Sequence, residues 1–127
     1  MFRHLTKNEE IVMGIIWDAD KPLISMEILE RCTNARWDHT YILHMLRALE
    51  KKELVEVCGT VRSGKQYARQ FIASVPKEQY VTDMVLKTGI NNREMLLVAA
   101  ALIAKANDNK KMAEQLEKIV EDLENGE

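Results

Sequence analysis

The chain has 127 residues, 46% of them hydrophobic and 30% charged, with a formal net charge of −2. That length and apolar content suit one good core, or a core plus a smaller packing unit, and exclude a disordered or fibrous chain. The mildly acidic balance excludes a protein that coats nucleic acid by bulk charge, and Cys32 and Cys58, without CxxC spacing, signal neither a zinc site nor a disulfide framework.

The chain opens without the charged and apolar regions of a secretion signal, and its longest apolar run, Met95–Ala104, is half of what a bilayer crossing needs. The expected location is the cytoplasm, with no membrane partner. Thr6 and Glu9 have the spacing of a capping box, and Ile11, Val12, Ile15 and Ile16 then recur at helical intervals, which predicts a helix over 7–19. Asp20, Lys21 and Pro22 break it. Ser25 is the expected N-cap of a short second helix that turns Ile28 and Leu29 inward and ends near Thr33. After a turn over 34–37, Asp38 caps a third helix that closes at Glu50–Glu53.

The third helix has two faces. At 100° per residue, Ile42, Met45, Leu46 and Leu49 fall on one side and Thr40, His44, Arg47 and Lys51 on the other. Alternating residues from Leu54 to Val57 predict a strand. Gly59, Ser63 and Gly64 supply the turn of a loose hairpin, whose return strand carries Tyr67, Phe71 and Ile72. Alternation along that strand points Tyr67 inward. Three helices and a strand, wing and strand are the winged helix-turn-helix order. Ser74 and Pro76 mark a fourth helix that runs to Thr88 and stops at Gly89.

Asn92 opens a helix that is apolar nearly all round, including Leu97 and Leu102, and such a helix has to be covered on several sides. The last helix, over about 109–124, carries Met112, Leu116, Ile119 and Leu123 at a/d-like spacing. These helices make a thin core for one chain, so a second copy is expected to complete it. The alternative is a monomer that folds them back onto its own first domain. The fold class is therefore mainly α: residues 1–75 form a winged helix-turn-helix domain with a small β-hairpin wing, and residues 76–127 a helical dimerisation domain.

Between Arg36 and Phe71, seven cations meet four carboxylates, a local net charge of +3 on an acidic chain. A recognition helix in the major groove puts its N-terminal residues near base edges. Thr40, Tyr41, His44 and Arg47 are therefore the expected DNA contacts, with His39 at the start of the helix and Lys51 toward its end. Leu43, on the shoulder, could meet a thymine methyl or pack on the second helix. Arg62, Lys65 and Arg69 are the candidates on the wing. Trp17 and Trp37 read as core anchors. No paired carboxylates, nucleophile elbow, phosphate loop or ligand cluster offers a catalytic or metal centre, so neither enzymatic activity nor a cofactor is expected.

The segment Leu5-Thr6-Lys7-Asn8-Glu9, Val12-Met13, Ile16-Trp17 and the run from Trp37 to Lys52 resemble the penicillinase repressor family (BlaI/MecI and relatives) of winged-helix transcriptional regulators. The wing and trailing helices follow the family's order. The resemblance implies a homodimeric repressor whose N-terminal domains bind a palindromic double-stranded DNA operator and whose C-terminal helices hold the dimer together; an unidentified inducer or protease could be a further partner. Leu43 and His44 stand where family members usually carry Arg and Thr, and Ala48-Leu49 where they carry Arg-Leu. Ala101-Leu102 occupies the place of the Asn-Phe bond that is cleaved in antibiotic-responsive members. The clustered C-terminal cysteines of copper-responsive relatives are absent. A competing expectation is a winged helix that serves as a protein-interaction module and no longer binds DNA.

Overall fold

A computed structural model describes residues 4–34, 36–106 and 109–125. Its elements, in chain order, are α1 (Lys7–Asp18), α2 (Ser25–Arg31), α3 (His39–Lys51), β1 (Val55–Ser63), β2 (Gln66–Ala73), α4 (Lys77–Lys87), α5 (Asn92–Lys105) and α6 (Asn109–Asn125). The architecture is a winged helix-turn-helix followed by C-terminal helices, the expected fold class. The turn before α3 includes Ala35, which lies outside the described residues, as do Gly126 and Glu127 of the expected cysteine-free tail.

Local chemistry sets the helix ends. Thr6 accepts from the Glu9 N–H at 3.2 Å and Glu9 accepts from the Thr6 N–H at 2.8 Å, which satisfies two of the backbone donors that a helix start leaves open. The start of α2 differs from expectation. Ile24 is its cap position, with its N–H held by Glu27 at 3.0 Å, and Ser25 is the first helical residue and is buried. At the end of α3, the Glu53 N–H reaches the Glu50 carbonyl and the Leu54 N–H the Leu49 carbonyl, a Schellman arrangement. It places Glu53 at φ 62°, in the left-handed region that favours glycine.

The hairpin is tighter and longer than the expected loose one. Ser63 pairs with Gln66 across a turn of Gly64 and Lys65, and Gly64 takes φ 64° there. Gly59 is no turn residue: it lies within β1, beside a bulge at Cys58 where the register shifts from Val57↔Phe71 to Gly59↔Gln70. A Cβ at Gly59 would come within 3.1 Å of the Gln70 side chain. Leu23, just before α2, bridges to Phe71 through two backbone hydrogen bonds of 3.1 and 2.8 Å, which tie the hairpin to the helices.

The first unit, 1–87, has one core. Val12 and Met13 from α1, Ile28 from α2, Ile42, Leu46 and Leu49 from α3, and Leu23 and Phe71 are each at most 2% exposed. Tyr80 of α4 closes this core. It is buried, its ring lies 5.6 Å from that of Trp17, and its hydroxyl accepts from the Leu5 N–H at 3.2 Å. The Trp17 indole donates to the Val75 carbonyl at 2.8 Å. Packing therefore places α4 with the first unit, and the compact units part after Lys87 rather than at residue 75.

The second unit, 88–127, holds α5 and α6. Asn91 and Glu94 form a reciprocal capping box at the start of α5. Among the described residues of α5, none is buried. No helix of the described residues is long and apolar enough to cross a membrane.

Candidate nucleic-acid interface

Helix α3 is amphipathic as its sequence requires. Ile42, Met45, Leu46 and Leu49 are buried, whereas Thr40, His44, Arg47 and Lys51 are exposed. The Asp38 carboxylate accepts from the Tyr41 N–H at 2.8 Å and so caps the helix. Three of the expected contact residues, His39, Tyr41 and Leu43, are half-buried and have partners within the chain or line a cavity.

His39 lies with its Nε2 2.7 Å from the Ser25 hydroxyl, which links the first residues of α2 and α3. Tyr41 stacks on Trp37, ring centres 5.0 Å apart and tilted by 53°, and its phenol oxygen accepts from the Asn8 side-chain amide at 2.8 Å. Leu43 lines a cavity of about 350 Å³ between the helices and the hairpin, together with Met26, His39, Tyr67 and Arg69. In the sequence Ser25 stood out only as a helix cap and Asn8 only within the family-like segment, neither as a partner of α3. Each partner is far away in the chain, so no local spacing could reveal the pair.

On the hairpin, Lys65 is exposed at the turn and the Arg62 Nε donates to the Gly64 carbonyl at 3.2 Å. Arg69 is held closer to the body: its guanidinium lies 5.3 Å above the Phe71 ring and 3.8 Å from the Glu50 carboxylate. Tyr67 overturns the expectation that it packs inward, for it is 72% exposed. Alternation does put it on the Phe71 side of β2, but there it borders the open cavity shared with α2 and α3 instead of packing against them.

Lys52, beside Lys51, is turned inward. Its ammonium pairs with the Glu9 carboxylate and donates to the His4 carbonyl at 2.8 Å, joining the C-terminal end of α3 to the cap of α1. Burial pushes the Glu9 carboxyl up, but the Lys52 hydrogen bond and charge and the Thr6 donors outweigh it, so Glu9 titrates below its ordinary value of 4.5. The Ile24 N–H, working against partial burial and helped by Lys21, likewise lowers Glu27. Burial raises the Cys32 thiol, which disfavours a reactive thiolate there. Among the described residues, no group of His, Cys, Asp and Glu could hold a metal ion.

In the second unit, the residues expected to bind another copy all carry exposed apolar surface. Leu97 is 59% exposed, Leu102 64% and Leu123 71%, and Met112, Leu116 and Ile119 are exposed as well. Leu96, Val98 and Val120 are also exposed apolar residues.

The geometry is that of a half-buried helix offering His44 and Arg47 beside a cationic wing. A comparison with curated proteins finds none that matches. The sequence does match the penicillinase repressor family over residues 5–124, from the cap of α1 into the last turn of α6. The chain thus belongs to the penicillinase repressor family, a family of DNA-binding transcriptional repressors and not an enzyme class.

Proposed function

We propose that the chain acts in the cytoplasm as a homodimeric repressor of transcription on a pseudo-palindromic operator. The observation that carries this reading is the outward face of α3, where Thr40, His44 and Arg47 are exposed opposite a fully buried stripe. Side chains on a rigid helix, free of the core, are what the major groove needs. His44 reaches base edges, and Arg47 reaches either a guanine edge or a neighbouring phosphate. Thr40 and Tyr41 lie nearer the backbone, Lys51 and the wing cations Arg62 and Lys65 add phosphate contacts, and Arg69 steadies the base of the wing. Helices α5 and α6 bring two copies together, and two-fold symmetry then spaces the half-sites by one helical turn or a multiple of it. An inducer or protease that has still to be identified releases the DNA.

Salt dependence separates this reading from a winged helix that binds only protein. Affinity for a labelled duplex from the region upstream of the chain's own gene should fall linearly on a log–log plot against salt, with a slope set by the phosphates neutralised. Arg47→Ala should cost about 1–3 kcal/mol if it contacts guanine, or reduce the slope by about 1 if it contacts a phosphate, and His44→Ala should weaken binding with the fold intact. Absence of salt-sensitive binding by the parent protein would reject the repressor reading.

A further inference from the structure

Resting on the placement of α3 in a DNA groove, we infer that Asn8 of α1 is a positioning residue for DNA binding: its amide holds the Tyr41 phenol oxygen so that the Tyr41 hydroxyl donates to a DNA phosphate. The Asn8 Nδ2 donates to the Tyr41 oxygen at 2.8 Å. A phenol oxygen accepts and also carries one proton to donate. Because Asn8 is the donor, the Tyr41 proton stays available for an outside acceptor.

The rest of Tyr41 is held as well. Its backbone N–H is bound by Asp38 and its ring leans on Trp37 at 5.0 Å. Three anchors thus fix the backbone, ring and oxygen before DNA arrives, which lowers the ordering cost of a contact made there. The surroundings suit an anion: Arg36, exposed, lines the same open groove as Tyr41, Thr40 and His44. Among the described residues, the one carboxylate lining that groove, Asp38, is committed to the helix cap. Asn8 also draws the phenol toward α1, to the flank of α3, where a bound duplex presents its sugar–phosphate strand rather than base edges.

The test uses the full chain and two labelled duplexes, the upstream region and a scrambled sequence of the same length, titrated at several salt concentrations. Tyr41→Phe should lower affinity about ten-fold and Asn8→Ala about three-fold, and the double variant should be no weaker than Tyr41→Phe alone, because both remove one contact. Losses should be equal on both duplexes, since a phosphate carries no sequence information. The salt slope should stay unchanged, because a neutral hydroxyl releases no counterion. Asn8→Asp should lose more than Asn8→Ala, for its carboxylate accepts the hydrogen bond of the phenol hydroxyl in place of the phosphate and repels the phosphate. Thermal unfolding of Asn8→Ala and Tyr41→Phe should match the parent.

Additive losses, an Asn8→Ala variant with parental affinity, or a loss confined to the upstream duplex would overturn the role of Asn8 while leaving the repressor reading in place. A parent protein that binds neither duplex in a salt-sensitive way would take both down.

Discussion

The two units of this chain treat the same kind of residue in opposite ways. In the first, Val12, Met13, Ile28, Ile42, Leu46, Leu49 and Phe71 are sealed from water. In the second, Leu96, Leu97, Leu102, Ile119 and Leu123 are more than half exposed. Hydrophobicity is therefore no guide to which unit is finished. Four helices and a hairpin surround a common centre, whereas two helices can cover only one stripe of each other. That uncovered apolar surface is what the proposed dimer would bury.

The sharpest way to break that contrast is a charge on the open face. Leu116→Asp should weaken dimerisation about a thousand-fold, close to 4 kcal/mol, because two-fold symmetry counts each lost leucine twice. Sedimentation should show the mass halved and operator affinity should fall with it, while the first unit still unfolds cooperatively. An unchanged mass would remove α6 from the dimer surface.

In the finished unit, the largest effect should come from Lys52→Met, which leaves the Glu9 carboxylate buried without its cation. A loss of about 3 kcal/mol in urea unfolding is expected. A change below about 1 kcal/mol would mean that the pair is ornamental to the core.

Acid should act on the same pair. Glu9 has a lowered value when folded and an ordinary one, 4.5, when unfolded. Below pH 4.5 the unfolded chain takes up the proton first, so this contribution is complete above that pH and is lost as pH falls through the folded value. Urea midpoints should drop over that interval in the parent. They should drop less in Glu9→Gln, which starts weaker at neutral pH.

The smallest effect runs the other way. Glu53→Gly removes a side chain from a left-handed backbone position and should stabilise the first unit by about 1 kcal/mol, read as a higher melting temperature. No gain would mean that the glutamate's own contacts offset the strain.

Periodicity and caps made much of this molecule legible. Thr6 with Glu9, Asp38, and the stripe of Ile42, Met45, Leu46 and Leu49 behave as their spacing requires, because each depends on neighbours within a turn or two. Position along the chain misled where the deciding partner is remote. Tyr80 looked like part of the C-terminal unit, since an amphipathic pattern says that a face will be buried but not against what. Tyr67 looked buried because alternation reports the side of a strand and not whether anything packs against it. The Lys52–Glu9 and Asn8–Tyr41 pairs needed α1 laid beside α3, which no local pattern encodes. The outward cations of α3 could be named, yet a sequence cannot tell which of them touch a base.

The single residue left over at Cys58 decides what the wing presents. Counting by twos from Val57 along β1 would put Val61 on the Phe71 side, but the bulge resets the parity, so that Thr60 and Arg62 stand there opposite Arg69 and Tyr67. Cys58 works as a phase shift: one residue omitted from the ladder gathers two arginines and a tyrosine on one side of the hairpin and leaves Val61 and Ala68 to the other.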